Sequence, residues 1–173
     1  VFRESMAGEP GAVVGIDMGT NNCCGYARLG DRPPELVLSL CGGRLTPSAV
    51  AYTDTKVLVG EPAVQQQQSN PCRTFVEAKR LLGVPYSDQL AKTSRKHWAF
   101  GVLRPEPDEG PGPRLGVFHR GDLLRLTPQD LYTVLLAEMR RAIREHLGPG
   151  VGVGAVVVTV PAHFGHPQRK LTI

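Results

Sequence analysis

No stretch of this 173-residue chain approaches the ~20 consecutive apolar residues that a helix needs to cross a bilayer. A membrane role is therefore not expected. The first residues, Val1-Phe2-Arg3-Glu4-Ser5, carry neither the apolar region of a secretory leader nor an initiating methionine. Met6-Ala7-Gly8 reads as the natural start, and residues 1–12 read as a flexible tail. Cysteine is sparse, and Cys23, Cys24, Cys41 and Cys72 form no Cys-x-x-Cys pair and no metal-ligand spacing. Cys23 and Cys24 are adjacent on a predicted strand and so face opposite ways. Reduced, mostly buried thiols fit a cytosolic protein. Aromatics make up 6% of the chain and the net charge is only +4. No basic stripe with interleaved aromatics results, which argues against nucleic-acid binding. There is also no Gly-x-x-x-x-Gly-Lys-Ser/Thr run, so a P-loop is excluded.

A hydrophobic content of 41% suffices for a core, and the length suits one domain or one lobe of a larger one. Residues 13–17, 23–29 and 36–40 read as strands, and 49–53 with 56–59 as a hairpin closed by Asp54-Thr55. Two short helices are expected at 61–68 and 73–82, the second stopped by Gly83. Residues 98–103, 115–119 and 123–126 read as an antiparallel meander, with the Pro- and Gly-rich segment 104–114 as a loop. The strongest helix is 128–147. Thr127 is placed to cap it, Pro128 suits its first turn, Asp130 completes a capping box, and Gly148 ends it. Leu131, Leu135, Met139, Ala142 and Leu147 keep one apolar stripe at helical spacing, which is core packing. Residues 154–160 form a β-branched run of the kind buried on both faces of a sheet. Pro161 ends that run, and 166–173 reads as the start of a helix, so the sequence looks C-terminally incomplete.

The segment richest in chemistry is Gly15-Ile16-Asp17-Met18-Gly19-Thr20-Asn21-Asn22. Asp17 stands at the tip of a strand, beside a turn rich in backbone donors. A carboxylate there orders a divalent metal through its waters, and the amides of Gly19, Thr20, Asn21 and Asn22 form a concavity suited to phosphate oxygens. The pattern points to a nucleotide. By contrast, Gly148-Pro-Gly150-Val-Gly152-Val-Gly154 precedes a strand, where a dinucleotide loop would follow one. His163 and His166 lack a third ligand nearby. Lys79 and Arg80 taken alone are an ordinary solvated pair; beside the Asp17 turn, Lys79 becomes a candidate to stabilise a transferring phosphoryl group.

Four pieces in order, namely GIDMGT, LTPSAVAYTDTKVLVGEPA (45–63), NP-x-x-TFVEAKRLLG (70–83) and VTVPAHF-x-x-PQR (158–169), closely resemble the N-terminal ATPase domain of the heat shock protein 70 chaperone family. The resemblance is collinear from about residue 13 to 173 and is nearest to cytosolic eukaryotic members around residues 51–60. It implies an α/β chain, lobe I of an actin-like ATPase. A ribonuclease-H-like subdomain (13–45 and 148–173, incomplete) would carry a smaller inserted α+β subdomain (46–147). It further implies ATP or ADP with Mg²⁺, and K⁺ as an optional further ion. Asp17 would hold water ligands of Mg²⁺, and Gly19, Thr20, Asn21 and Asn22 would contact the β- and γ-phosphates. Lys79 would be the catalytic lysine, and Pro161 and Arg169 would pass the nucleotide state onward. In full length, unfolded polypeptide, J-domain co-chaperones and nucleotide-exchange factors would be partners, in the cytoplasm with the nucleus as a second compartment. The alternative is a truncated, non-catalytic paralogue acting as an interaction or regulatory module. Whether this chain alone hydrolyses ATP stays open, since the second phosphate loop and the adenosine-binding segments would follow Ile173. Asn21 stands where the family usually has threonine. His163-Phe164-Gly165 replaces Tyr-Phe-Asn, and His166 replaces an aspartate. A small-molecule kinase of the same superfamily is disfavoured, because the Lys79 and Pro161 segments have no reason to co-occur there.

Overall fold

The computed structural model describes residues 11–172. Of the tail expected at 1–12, the first ten residues lie outside the described part, while Ala12 is fully buried in β1 (Ala12–Met18). Along β1 the residues Ala12, Val14, Ile16 and Met18 face the core, and Val13 and Asp17 face outward. This period of two is the strand signature. The chain turns back into β2 (Asn22–Arg28), then β3 (Glu35–Val37) and β4 (Thr46–Pro47). The expected hairpin is β5 (Ala49–Tyr52) with β6 (Val57–Val59), followed by a single helical turn and a half, α1 (Glu61–Gln65).

Residues 73–82 do not form the expected helix. A 3₁₀ turn, Pro71–Arg73, leads into β7 (Thr74–Val76), which pairs with β5. Glu77 then takes left-handed backbone angles (φ 55°), and a second 3₁₀ turn, Ala78–Leu81, carries Lys79. Thr74, Phe75 and Val76 are β-branched or aromatic, the types that suit a half-buried pleated surface. Seating Phe75 against Tyr52 and Phe100 outweighs the weak helix preference of the residues after it. Gly83 still ends the segment, at a positive φ of 68° that favours glycine.

The next element, α2 (Asp88–His97), was not expected from the sequence. Only two of its ten residues, Leu90 and Ala91, are apolar, too few to show a 3.6-residue period. The Trp98 amide donates to the Ser94 carbonyl at 2.9 Å, so Trp98 belongs to the helix exit, and β8 (Gly101–Leu103) starts later than expected. With β9 (Arg114–His119) and β10 (Asp122–Leu126) it forms the expected meander, in the order β10-β9-β8. Helix α3 (Pro128–Leu147) has the expected bounds and capping box: Asp130 N donates to Thr127 Oγ1 at 3.1 Å, and Thr127 N to Asp130 Oδ2 at 2.7 Å. Of its expected stripe, Leu131, Leu135, Met139 and Ala142 are buried and Leu147 is half-buried, each of the larger buried three contributing about 1.5–3 kcal/mol.

The chain closes with β11 (Val153–Val158) and α4 (His166–Thr172). β11 runs parallel to β1, giving the order β11-β1-β2-β3 with β4 also on β2. Helix α3 covers the inner face of this sheet; Gly25 leaves room for Met139, whose terminal methyl would stand 3.3 Å from an added Cβ. The expectation of a strand buried on both faces is not met by β11, where Val157 is 48% exposed. β1 flanks it on one edge, and among the described residues no layer covers the outer face that carries Val13, Tyr26 and Val157. No described helix is long and apolar enough to cross a membrane.

The loop between β8 and β9 is held by Glu109. Its carboxylate accepts from Arg125 Nε at 3.0 Å and Nη2 at 2.8 Å, and from the Glu106 amide at 2.7 Å. The Arg125 hydrogen bonds, then the Glu106 amide, hold its pKa down to about 2 from the usual 4.5. A depressed carboxylate stabilises the fold fully above its unfolded pKa and loses that contribution as pH falls through the folded one. Acid titration of stability is therefore expected to steepen between pH about 4.5 and about 2. Glu109→Gln should flatten that limb in urea melts run at stepped pH; an unchanged limb would contradict this role.

Candidate functional site

Three chain segments meet at the carboxyl ends of β1 and β11. β1 delivers Asp17 to the outer face, where Thr159 Oγ1 donates to its Oδ1 at 2.5 Å across 142 positions of sequence. The Thr159 amide also donates to the Ile16 carbonyl at 2.9 Å, which extends the parallel pairing and fixes where that hydroxyl stands. The 3₁₀ turn Ala78–Leu81 delivers Lys79, whose Nζ donates to the Met18 carbonyl. The same ammonium lies 5.8 Å from the centroid of the Phe164 ring, within the range of a cation–π contact.

The electrostatics follow from this packing. Burial lowers the Lys79 pKa from the ordinary lysine value, and the charge on Asp17 partly opposes the shift. The ammonium is thus stripped of some water, which strengthens its pull on an anion, while the charge on Asp17 offsets part of that pull. Burial raises the Cys23 thiol, with the Ser48 hydrogen bond opposing it, so Cys23 is a packed, protonated thiol and not a nucleophile.

The turn 19–21 between β1 and β2 is tight. A Cβ on Gly19 would sit 2.2 Å from the Asn22 carbonyl oxygen, a distance only glycine permits. From the far side Ser48 grips the turn: its amide donates to the Asn21 carbonyl at 2.8 Å and its hydroxyl to the Gly19 carbonyl at 2.9 Å. Asn21 and Asn22 are exposed, and Gly19 and Thr20 half-buried.

Pro161 and Arg169 are brought together next to Lys79. The Phe164 amide donates to the Pro161 carbonyl at 3.0 Å, and Arg169 Nε donates to the Phe164 carbonyl at 2.9 Å. Gln168 joins this turn to the lysine segment: its Nε2 donates to the Leu82 carbonyl, and its Oε1 accepts from the Gly165 amide, both at 3.1 Å. The residues singled out from the sequence, Asp17, Gly19, Thr20, Asn21, Asn22, Lys79, Pro161 and Arg169, thus lie around one corner. Thr159, Ser48, Phe164 and Gln168 stand in the segments quoted for the family likeness, but sequence reasoning gave none of them a role. A lone threonine closing an apolar strand was a usable signal for the first; the other three take their roles from the contacts they make.

Chemically, the corner offers an outward carboxylate, a cation and a glycine-bearing turn with exposed backbone. Among the described residues no group of three His, Cys, Asp or Glu is placed to hold a metal. A divalent ion at Asp17 would therefore keep most of its waters and share phosphate oxygens, the habit of Mg²⁺.

Known proteins are similar to this chain over most of its length. The family model described as "Hsp70 protein" matches residues 13–173. Heat shock cognate 70 kDa protein 3 of Dictyostelium discoideum is 36% identical over 159 residues, covering 92% of this chain and 24% of that protein. Putative heat shock 70 kDa protein 7 of Homo sapiens is 37% identical over 160 residues, covering 92% of this chain and 41% of that protein. A heat shock 70 kDa protein of Ajellomyces capsulatus is 38% identical, with 92% of this chain and 22% of that protein aligned. The chain spans between about a fifth and two fifths of the length of these relatives. With the family match running from the start of β1 through α4, on a mixed α/β architecture of the actin-like ATPase class, the chain belongs to the heat shock protein 70 family.

Proposed function

We propose that this chain forms one jaw of an ATP site and that in full length it serves a chaperone which couples ATP hydrolysis to binding and folding of unfolded polypeptide. Asp17 holds Mg²⁺ through water, and Gly19, Thr20, Asn21 and Asn22 take the β- and γ-phosphates of ATP or ADP. Lys79 stabilises the transferring phosphoryl group beside the attacking water, while Pro161 and Arg169 relay the nucleotide state. Residues 13–45 and 148–173 make the ribonuclease-H-like subdomain, and 46–147 the inserted one. J-domain co-chaperones and nucleotide-exchange factors are partners of the whole protein, K⁺ is an optional further ion, and the compartment is the cytoplasm with the nucleus as a second site. The observation that carries the reading is the bond from Lys79 to the Met18 carbonyl, across 61 positions of sequence, which brings the ammonium within electrostatic reach of Asp17.

A single jaw binds weakly and turns over negligibly. Calorimetric titration with Mg·ATP is expected to give a dissociation constant of about 1 mM, or roughly −4 kcal/mol, with amide shifts confined to residues 17–22 and 79. Micromolar or tighter affinity would overturn the single-jaw reading, and absence of any shift at those residues would overturn the nucleotide reading. A second reading, an interaction module without catalysis, is favoured by the uncovered sheet face, where Tyr26 is 45% and Val157 48% exposed. Co-elution with a full-length chaperone and a change in its ATPase rate would support it.

A further inference from the structure

Ser48 stands in the segment 45–63 but was given no role there, yet it is the residue most engaged with the turn 19–21. It is 7% exposed. Its hydroxyl oxygen sits 2.9 Å from the Gly19 carbonyl and 3.2 Å from Cys23 Sγ, and its amide 2.8 Å from the Asn21 carbonyl. A serine hydroxyl has one hydrogen, and a carbonyl only accepts. That hydrogen therefore goes to Gly19, which leaves the Cys23 S–H as donor to Ser48. The order of the relay is fixed: Cys23 to Ser48 to Gly19.

The peptide unit is planar and trans, and no cis bond is present among the described residues. In a trans unit the carbonyl and the following amide point opposite ways. Drawing the Gly19 and Asn21 carbonyls inward to Ser48 therefore turns the Thr20 and Asn22 amides away from it. Two outward amides on one turn offer paired donors to an anion. The pairing of β2 with β4 agrees, since it sets Asn22 opposite Pro47, which has no amide to exchange.

We infer that Ser48 is a positioning residue: by holding two carbonyls of the turn, it aims the Thr20 and Asn22 amides at a phosphate group. The phosphate half of this inference rests on the nucleotide reading of that turn; the orientation half does not. In Ser48→Ala the side-chain anchor goes while the amide anchor stays, so the turn loosens without unfolding. Cys23→Ala removes the donor to Ser48 and the sulfur that faces the Gly19 amide, and leaves the bond from Ser48 to the Gly19 carbonyl in place.

Two measurements on the chain test it. Backbone ¹⁵N order parameters of Thr20, Asn21 and Asn22 are expected to fall from a rigid value of about 0.85 toward 0.6 in Ser48→Ala. They should stay rigid in Cys23→Ala and recover in Ser48→Thr, which keeps the hydroxyl. Titration with inorganic tripolyphosphate and Mg²⁺, read at the same amides, is expected to weaken about tenfold in Ser48→Ala only, or about 1.4 kcal/mol. Unchanged order parameters in Ser48→Ala, or equal loosening in Cys23→Ala, would overturn the inference. A turn loosened by Ser48→Ala in a wild-type protein that ignores tripolyphosphate would sink the nucleotide reading and leave the positioning role standing.

Discussion

Gly19→Ala is expected to erase the response of the turn to Mg·ATP, with the Thr20, Asn21 and Asn22 amides no longer shifting and affinity falling more than tenfold. The reason is a backbone collision. An added Cβ would stand 2.2 Å from the Asn22 carbonyl oxygen, where real Cβ contacts stay beyond 3.0 Å. The obstacle is main chain, so no side chain can swing aside, and the hairpin must open by nearly 1 Å. Gly19 is itself held by Ser48, and opening the hairpin pulls its carbonyl off that hydroxyl. Forcing a methyl into a packed site costs about 1–3 kcal/mol of stability, so near-UV dichroism should confirm that the variant is folded before it is titrated. Gly15→Ala is the control: it lies on β1, the strand that leads into the turn, and nothing stands within 4 Å of its added Cβ. Affinity within twofold of wild type for Gly19→Ala would show that the tight turn is not what receives the phosphate.

Phe75→Ala is expected to be the most damaging core substitution, lowering unfolding free energy by about 3–5 kcal/mol. That is a large part of the 5–15 kcal/mol a domain commonly has. The ring is 1% exposed. It meets Tyr52 edge-on at 6.0 Å and Phe100 at 5.0 Å, and Phe100 stacks in turn on Trp98 at 5.2 Å. These contacts join β5, β7 and the exit of α2, so truncation leaves a cavity where three elements converge. With urea slopes of about 1–3 kcal/mol/M, the midpoint should drop by about 2 M. A loss under about 1 kcal/mol would mean the cluster repacks freely. Because β7 leads through Glu77 into the Lys79 turn, the same variant should also broaden the Lys79 side-chain signals.

What could be read from the sequence depended on the range of the forces involved. The bounds of α3 were legible because its caps are local: Thr127, Pro128, Asp130 and Gly148 act within one turn of each end. β1 and β2 were legible from their alternation and from the tight turn between them. Residues 73–82 misled because their local preferences conflict, with helix formers after Glu77 and strand formers before it. The arbiter was pairing with β5, some twenty-five positions back. α2 gave no apolar period to detect. For β11 the composition correctly marked a strand, but its exposure depends on what packs over the sheet. The site residues could be named from a short motif and a family likeness, whereas the groups that hold them in place, Thr159 on Asp17 and Ser48 on Gly19, could not. Those contacts span 142 and 29 positions, and nothing local foretells them.

The bond from Lys79 to the Met18 carbonyl has an electronic side. That carbonyl belongs to the same conjugated amide as the N–H of Gly19. An ammonium on the oxygen withdraws electron density through the peptide resonance and leaves the Gly19 hydrogen more positive, the mutual strengthening known for linked hydrogen bonds. Lys79 thereby polarises the Gly19 N–H, which bonds the Cys23 sulfur, as an inductive substituent through one peptide bond, and on an anion held at the turn it would act as a charge through space. Acetylation of Lys79 would cancel both at once. Arginine would restore the charge, but its planar fork, with a different reach, would not reproduce the inductive effect.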